Sequence, residues 1–390
     1  MASPSPQSSG RLSTAPDFLL SRPHGSVRSQ GSREEFRSAY DASTHIRDLM
    51  SSEAASSQMV VGCVPFDFNE PAALTVPEKI WRSEGPLEPP AAYRGDDSRL
   101  TVSNISFSSD ATSHAHVVAA AVDTIASTEL EKVVLARYAD VQFAERVDPL
   151  LICARMIDLS SHRDGYGVQL PADLGGSFFT GSSPEVLIKR HGENFSAFPL
   201  AGSIQRSRDK QQEQWSIEQM RKSPKELYEH RLVVDHYRRV LEPLSRELNI
   251  PPTPGIHSTK EMIHLGTPIT GQLKDRDYSA LDLALLLHPT PAVGGTPTEA
   301  ALGVISAAEE ESRGMYAGFV GWCDASGDGE YMVSIRGTTV AQDGLAARSW
   351  AGGGIVSSSD PAAEARETAA KMRTALRAMN VPAELFEKLN

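Results

Sequence analysis

Two stretches of this chain carry carboxylates on faces that a folded protein normally keeps apolar. In the helix opening at Ser223-Pro224-Lys225-Glu226, an apolar stripe runs through Val233, Tyr237, Val240 and Leu244. Glu229 lies one turn before Val233 on that stripe. An ionised carboxylate aimed at a core is costly unless a cation meets it. The alternatives are an outlet to solvent or pairing with Lys225. In a last helix, from Pro361 to about Met379, Ala365, Ala369, Met372 and Leu376 form the packing stripe, while Glu364, Glu367 and Lys371 share a neighbouring face. Alone, that face reads as a salt-bridged surface. Just before it stands Ala351-Gly-Gly-Gly-Ile-Val356, a glycine-rich loop whose backbone N–H groups can approach an anion closely. Two Glu-bearing helices and such a loop can together hold a hard divalent cation and an anionic ligand. Oxygen-only donors favour Mg²⁺ over zinc.

A second constellation joins Lys132 and Glu185. Lys132 opens the run K-V-V-L-A-R-Y-A-D-V-Q-F (132–143) and shares a strand face with Val134 and Ala136. Burial there would strip its ammonium of water and make it a usable base; the alternative is a strand-end lysine reaching back to solvent. Glu185 follows Gly181-Ser-Ser-Pro184, a tight turn that presents its carboxyl from a strand start. A glutamate there is more often solvated than reactive.

These groups need a scaffold. The 390 residues include 38 Lys+Arg and 50 Asp+Glu, a net charge of −12. That acidity argues against nucleic-acid binding, which needs a basic face, and no polybasic segment would hold the chain on an anionic membrane. No apolar run approaches the roughly 18 residues of a spanning helix. Cys63, Cys153 and Cys323 are too few and too scattered for a disulfide framework or a zinc site; they read as small buried residues in a reducing cytoplasm.

Residues 1–17, rich in Ser and Pro, read as a disordered tail lacking the apolar centre of a secretory signal. Residues 18–390 read as one catalytic domain, opening with a strand at Phe18–Leu20. Glu84–Ser113 predicts a long surface connection, His116–Thr128 a helix and Lys132–Phe143 a strand. Ser177–Thr180, Val186–Arg190 and Phe195–Pro199 predict three strands meandering in succession. Ser223 as N-cap, Pro224 at N1 and Glu226 at N3 form a capping box. Tyr316–Asp324 and Glu330–Thr339 predict a hairpin across Ala325-Ser-Gly-Asp-Gly329. The fold class is α+β, large antiparallel sheets with helices packed outside.

Nine segments, taken in order, resemble the chorismate-utilising enzymes: K-V-V-L-A-R (132–137), F-F-T-G-S-S-P-E (178–185), P-L-A-G-S (199–203), S-P-K-E-L-Y-E-H (223–230), H-P-T-P-A-V-G-G-T-P (288–297), Y-A-G-F-V-G-W-C-D-A-S-G-D-G-E (316–330), S-I-R (334–336), A-G-G-G-I-V (351–356) and E-x-x-E-T-x-x-K (364–371). Pro65-Phe-Asp67 adds a weaker likeness upstream. The resemblance implies α/β/β/α layers, chorismate as substrate, Mg²⁺ as cofactor and a monomer. Within the family the chain looks most like the isochorismate synthases of the catecholate-siderophore type, which implies water attack at ring C2 with loss of the C4 hydroxyl. By that resemblance Lys132 is the general base and Glu185 the general acid. Glu229 and Glu367 match metal ligands, with Glu226 and Glu364 acting through water. Arg336 and Lys371 match positions that receive substrate carboxylates. Gly202, Ser203, His264, Ala292, Val293, Tyr316, Gly352 and Gly354 match the pocket lining.

Relatives of other activity differ at named positions. Anthranilate synthases resemble this chain but have Gln at the place of Lys132. Aminodeoxychorismate synthases have a nucleophilic Lys at the place of Ala201, and aminating enzymes have Thr at that of Ala292. The comparison implies water as nucleophile. Salicylate synthases share Lys132 and Glu185 and go on to expel pyruvate, but look like P-L-A-G-T where this chain has Ser203; they are the next reading. A non-catalytic ligand-binding homologue would have lost a charged group, and all are present here. Gly294-Gly295 is a departure, since the family pattern has Cys or Ser before the second glycine.

Overall fold

The structure, a computed structural model, describes residues 14–52, 57–94 and 99–385. Most of the expected tail, residues 1–13, lies outside the described residues. Packing begins before Phe18: Ala15 is buried and the Asp17 N–H donates to the Ser29 carbonyl at 2.9 Å.

Two large antiparallel sheets carry the chain. One has ten strands. Near one end of it the 12-residue strand Lys132–Phe143 pairs over residues 132–142 with Ala346–Val356. Beyond that pair lie Gly337–Val340, Phe178–Gly181, Gly165–Gln169 and Phe18–Ser21. The second sheet has nine strands and is built around Val186–His191, Gly329–Val333, Phe319–Asp324 and Met59–Val64. A small third sheet pairs Leu200–Gln205 with Met262–Gly266.

The period-2 alternation of a strand decides which face is covered by what. Phe18 and Leu20 point into a core shared with Met59, Val61, Cys63, Val320 and Met332 of the second sheet. Leu19, between them, joins the helices Pro149–Leu159 and Pro361–Ala378 on the far side. In the second sheet Val60 and Phe319 face the other way, against Ala39–Ser51, Pro224–Leu241 and Ala280–Leu287. The result is the expected α+β fold in α/β/β/α layers. The three cysteines are buried and unpaired, as read from the sequence.

Three expectations are corrected. Ser177–Thr180 and Val186–Arg190 do not pair as a meander: Phe178–Gly181 belongs to the ten-stranded sheet and Val186–His191 to the nine-stranded one, so the chain changes sheet at Ser182–Glu185. The segment Glu330–Thr339 likewise breaks. Its hairpin with Phe319–Asp324 ends at Val333, and Gly337–Val340 continues in the other sheet. Glu84–Ser113 is not all connection. Val102–Phe107 adds a strand beside Lys132–Phe143, and the helix that follows starts at Ala111, where the Asp110 carboxylate accepts the Ser113 N–H at 2.7 Å.

The two sheet changes lie side by side. Gly181 is opposite Gly337 and Val186 opposite Met332. The Ser182 N–H donates to the Arg336 carbonyl (3.2 Å) and the Val333 N–H to the Glu185 carbonyl (3.1 Å). Glu185 and Arg336 are therefore placed by one doubled crossover, not by two independent loops.

Candidate active site

On one wall, Lys132 begins its strand opposite Val356 and is fully buried. The glycines that precede the last helix are not a loop. They are the C-terminal part of the Ala346–Val356 strand, with Gly352 opposite Ala136 and Gly354 opposite Val134. Their backbone belongs to the ladder, and what they provide is room. A Cβ at Gly354 would strike the Glu229 carboxylate, one at Gly353 would lie 3.3 Å from Glu364 Oε2, and one at Gly202 would lie 3.1 Å from Glu226 Oε2. Three of the four acids thus rest against residues without side chains.

The Pro224–Leu241 helix brings Glu226 and Glu229 in on its buried face, ahead of Val233, Tyr237 and Leu241; Val240 and Leu244 lie at the margin of the stripe. Ser223 caps it by accepting the Glu226 N–H at 3.3 Å. The return half of the capping box is absent from the cap, because the Glu226 carboxylate turns away and accepts the Ser203 N–H at 3.0 Å. The last helix, capped by Asp360, brings in buried Glu364 and half-buried Glu367 and Lys371.

Every acid has met a lysine. Lys132 Nζ lies 3.0 Å from Glu229 Oε1, Lys371 Nζ 2.6 Å from Glu367 Oε1, and Lys225 Nζ bridges Glu364 (2.7 Å) and Glu226 (3.2 Å). Glu229 therefore neither reaches solvent nor takes Lys225, and Lys132 does not reach back to water. Burial would lift the Glu229 carboxyl, but the charges of Lys132, Lys225 and Lys371 outweigh it and hold the group below the usual range. Burial, reinforced by neighbouring acids, wins at Glu226, which is raised, and at Glu364, raised to about 7. Glu364 Oε2 is buried without a hydrogen-bond partner, while its Oε1 accepts from Ser359 Oγ at 2.8 Å. As they stand, no three His, Cys, Asp or Glu side chains among the described residues converge on one ion. The donor set still suits a hard cation: oxygens only, one of them, Glu364 Oε2, unpartnered, on a wall that Gly353 and Gly354 keep free of side chains.

Across the cavity, Glu185 is 2% exposed and its Oε1 has no partner. Burial pushes its carboxyl up to about 7; the Leu200 backbone N–H and the more distant charges of Lys132, Lys371 and Arg336 offset only part of that. Arg336, held at φ 56°, donates toward His264 Nε2 at 3.2 Å, and His264 Nδ1 lies 2.8 Å from Ser203 Oγ.

Glu185, Gly202, Ser203, Glu229, His264, Ala292, Val293, Tyr316, Arg336, Gly352, Gly354 and Lys371 all line one partly open cavity, with about 60 Å³ of free space as the side chains stand. Lys132, Glu226, Glu364 and Glu367 stand behind this lining, reached through Glu229, Ser203, Lys225 and Lys371. A wider groove along Pro224–Arg238 offers about 700 Å³, but it is shallow and lacks the base and acid.

Sequence reasoning missed several contributors. Trp350 lines the cavity and stacks on Tyr316 with ring centroids 5.9 Å apart; its place two residues before the glycines was the available signal. Lys225 holds two acids at once. Arg313, buried, donates to the Val134 and Val293 carbonyls (2.7 and 2.8 Å) and so ties the Lys132 strand to the Ala292–Val293 loop. The Gly294 departure costs nothing visible: a Cβ there would make only ordinary 3.4 Å contact, and the Gly294 carbonyl still accepts the Val134 N–H at 2.8 Å.

The model of the family described as chorismate binding enzyme matches residues 27–380. A putative isochorismate synthase, MenF, of Mycobacterium tuberculosis is 36% identical over 95% of this chain and 98% of its own length. Isochorismate synthase DhbC of Bacillus subtilis is 37% identical over 84% of this chain and 82% of its own. The crystal structure of a putative 2,3-dihydroxybenzoate-specific isochorismate synthase, DhbC from Bacillus anthracis, superposes with a TM-score of 0.86 at 31% identity, covering 95% of this chain and 98% of that one. On its own motifs, its fold and these matches, the chain belongs to the family of chorismate binding enzymes.

Proposed function

We propose that this chain is an isochorismate synthase, interconverting chorismate and isochorismate by adding water at ring C2 as the C4 hydroxyl departs. The observation that carries the reading is the placement, at one cavity, of a buried lysine amine behind Glu229 and a buried, half-unpartnered carboxyl raised to about 7. Such an acid keeps a large share of its proton at neutral pH and can give it to a leaving hydroxyl. Glu185 is that acid. Lys132 is the base toward water. Glu229 fixes Lys132 Nζ and is also assigned to the cation, so seating the cation and freeing the base depend on the same carboxylate.

Glu229 and Glu367 would hold Mg²⁺, with Glu226 and Glu364 reaching it through water; the bound ion supplies positive charge against the substrate's ring carboxylate. Arg336, whose guanidinium offers a fork, and Lys371 receive carboxylates. Gly202, Gly352 and Gly354 keep the wall thin, and Tyr316 closes one side. Similarity to the two DhbC proteins supports a product destined for a siderophore aryl acid such as 2,3-dihydroxybenzoate or salicylate. Three free buried thiols accord with a reducing cytoplasm, and we take the enzyme to act as a monomer.

Purified protein given chorismate and Mg²⁺ should yield isochorismate as its sole product, identified chromatographically. Salicylate with pyruvate, or an ammonia-dependent amine, would overturn the reading. Full turnover in the presence of a chelator would remove the cation assignments.

A further inference from the structure

We propose that Ser203 is a one-way hydrogen-bond donor to the substrate, its hydroxyl proton turned into the cavity by a neutral His264 that carries its own proton on Nδ1. The argument is one of polarity. A guanidinium has donors only. Arg336 Nη2 lies 3.2 Å from His264 Nε2, so Nε2 must be the accepting nitrogen. A protonated imidazole would set N–H against N–H there, beside two further cations. Burial first, then Arg336 and Lys371, hold His264 well below its ordinary range.

The remaining proton of the neutral ring therefore sits on Nδ1 and is donated to Ser203 Oγ, 2.8 Å away. That bond occupies a lone pair of the hydroxyl and leaves its own hydrogen to be placed elsewhere. No other hydrogen bond of this hydroxyl exists among the described residues, and Ser203 lines the cavity. The Ser203 N–H is meanwhile taken by Glu226 Oε2 at 3.0 Å, which fixes the residue to the acid-bearing helix. The reverse chain, with Ser203 donating to Nδ1, would put a hydrogen on Nε2 against the guanidinium. Direction is thus set from Arg336 through His264 to Ser203, and each bond polarises the next.

The consequence concerns ligand chemistry. The wall at Ser203 takes an oxygen acceptor, a carboxylate, ether or hydroxyl oxygen, and disfavours an N–H donor at the same place. Its identification with an oxygen of chorismate rests on the proposed function; the polarity of the relay does not. Long-range ¹⁵N correlation spectra of the free, histidine-labelled protein should show His264 as the Nδ1–H tautomer, unchanged across roughly pH 5 to 8. An Nε2–H tautomer, or a titration in that range, would overturn the relay whether or not chorismate is turned over. With chorismate, Ser203→Ala should raise KM about tenfold with a smaller change in kcat, while Ser203→Thr stays near wild type. The double variant Ser203→Ala/His264→Phe should lose less than the sum of the two single losses. Unchanged kcat/KM in Ser203→Ala, or full additivity, would contradict the assignment.

Discussion

Glu330 and Glu185 are each 2% exposed, yet their carboxyls move in opposite directions. At Glu330, burial is outweighed by the hydrogen bond from His24 and the charge of Arg22, and the group falls below the ordinary carboxylate range. Arg22 Nε is 3.0 Å from one oxygen and His24 Nε2 2.9 Å from the other. At Glu185 the nearest cations act across a cavity instead of at contact, one oxygen has no partner, and burial lifts the group to about 7. The lesson is that burial alone does not mark a reactive acid. A buried carboxylate with both oxygens met is cement; one whose partners stand back is kept for a ligand.

That contrast can be broken or sharpened by substitution. The largest effect should come from the reactive side. Lys132→Ala should lower kcat by roughly 10²- to 10⁴-fold, whereas Glu330→Gln leaves kcat near wild type; equal losses in steady-state assays would erase the distinction. Next, Glu330→Gln should cost about 1–2 kcal/mol of stability, since it removes one of the two carboxylates that meet buried Arg22 while Asp164 remains. Urea titration of that variant at neutral pH checks this, and an unchanged midpoint would count against a cementing role.

Glu185→Gln should do the opposite, in a pH-dependent way. A carboxyl raised to about 7 from an unfolded value of 4.5 binds more protons folded than unfolded between those limits, so wild-type stability falls as pH rises through that window. The variant escapes the fall. It should match wild type near the lower limit and exceed it by on the order of 3 kcal/mol above the upper one. Parallel stability profiles for the two proteins would mean that Glu185 is not held protonated. The smallest effect belongs to Gly294→Ser, where contact is ordinary: thermal melting should shift by no more than about 0.5 kcal/mol equivalent.

How much of this was legible depended on whether the signal was local. The Lys132–Phe143 strand and the Pro224 and Pro361 helices, with their misplaced acids, follow from periodicity and caps, which neighbouring residues encode. The sheet changes at Ser182–Glu185 and Ser334–Arg336 do not, because a strand's pattern says that a face is buried but not which sheet it pairs with. Val102–Phe107 was hidden because only Ile105 of it is buried, which leaves an edge strand almost without alternation. The three glycines announce a close approach, and glutamate side chains approach Gly353 and Gly354. Lys225 was legible only as a partner within its own helix, since Glu364, the second acid it holds, lies on the last helix.

The most direct test of the central claim, a base and an acid moving water across one ring, is to run the reaction in heavy-oxygen water and locate the label by mass spectrometry. The account expects isochorismate carrying one solvent oxygen, at C2. Unlabelled isochorismate would mean that the hydroxyl migrates without leaving, and the assignment of Lys132 to water would fall.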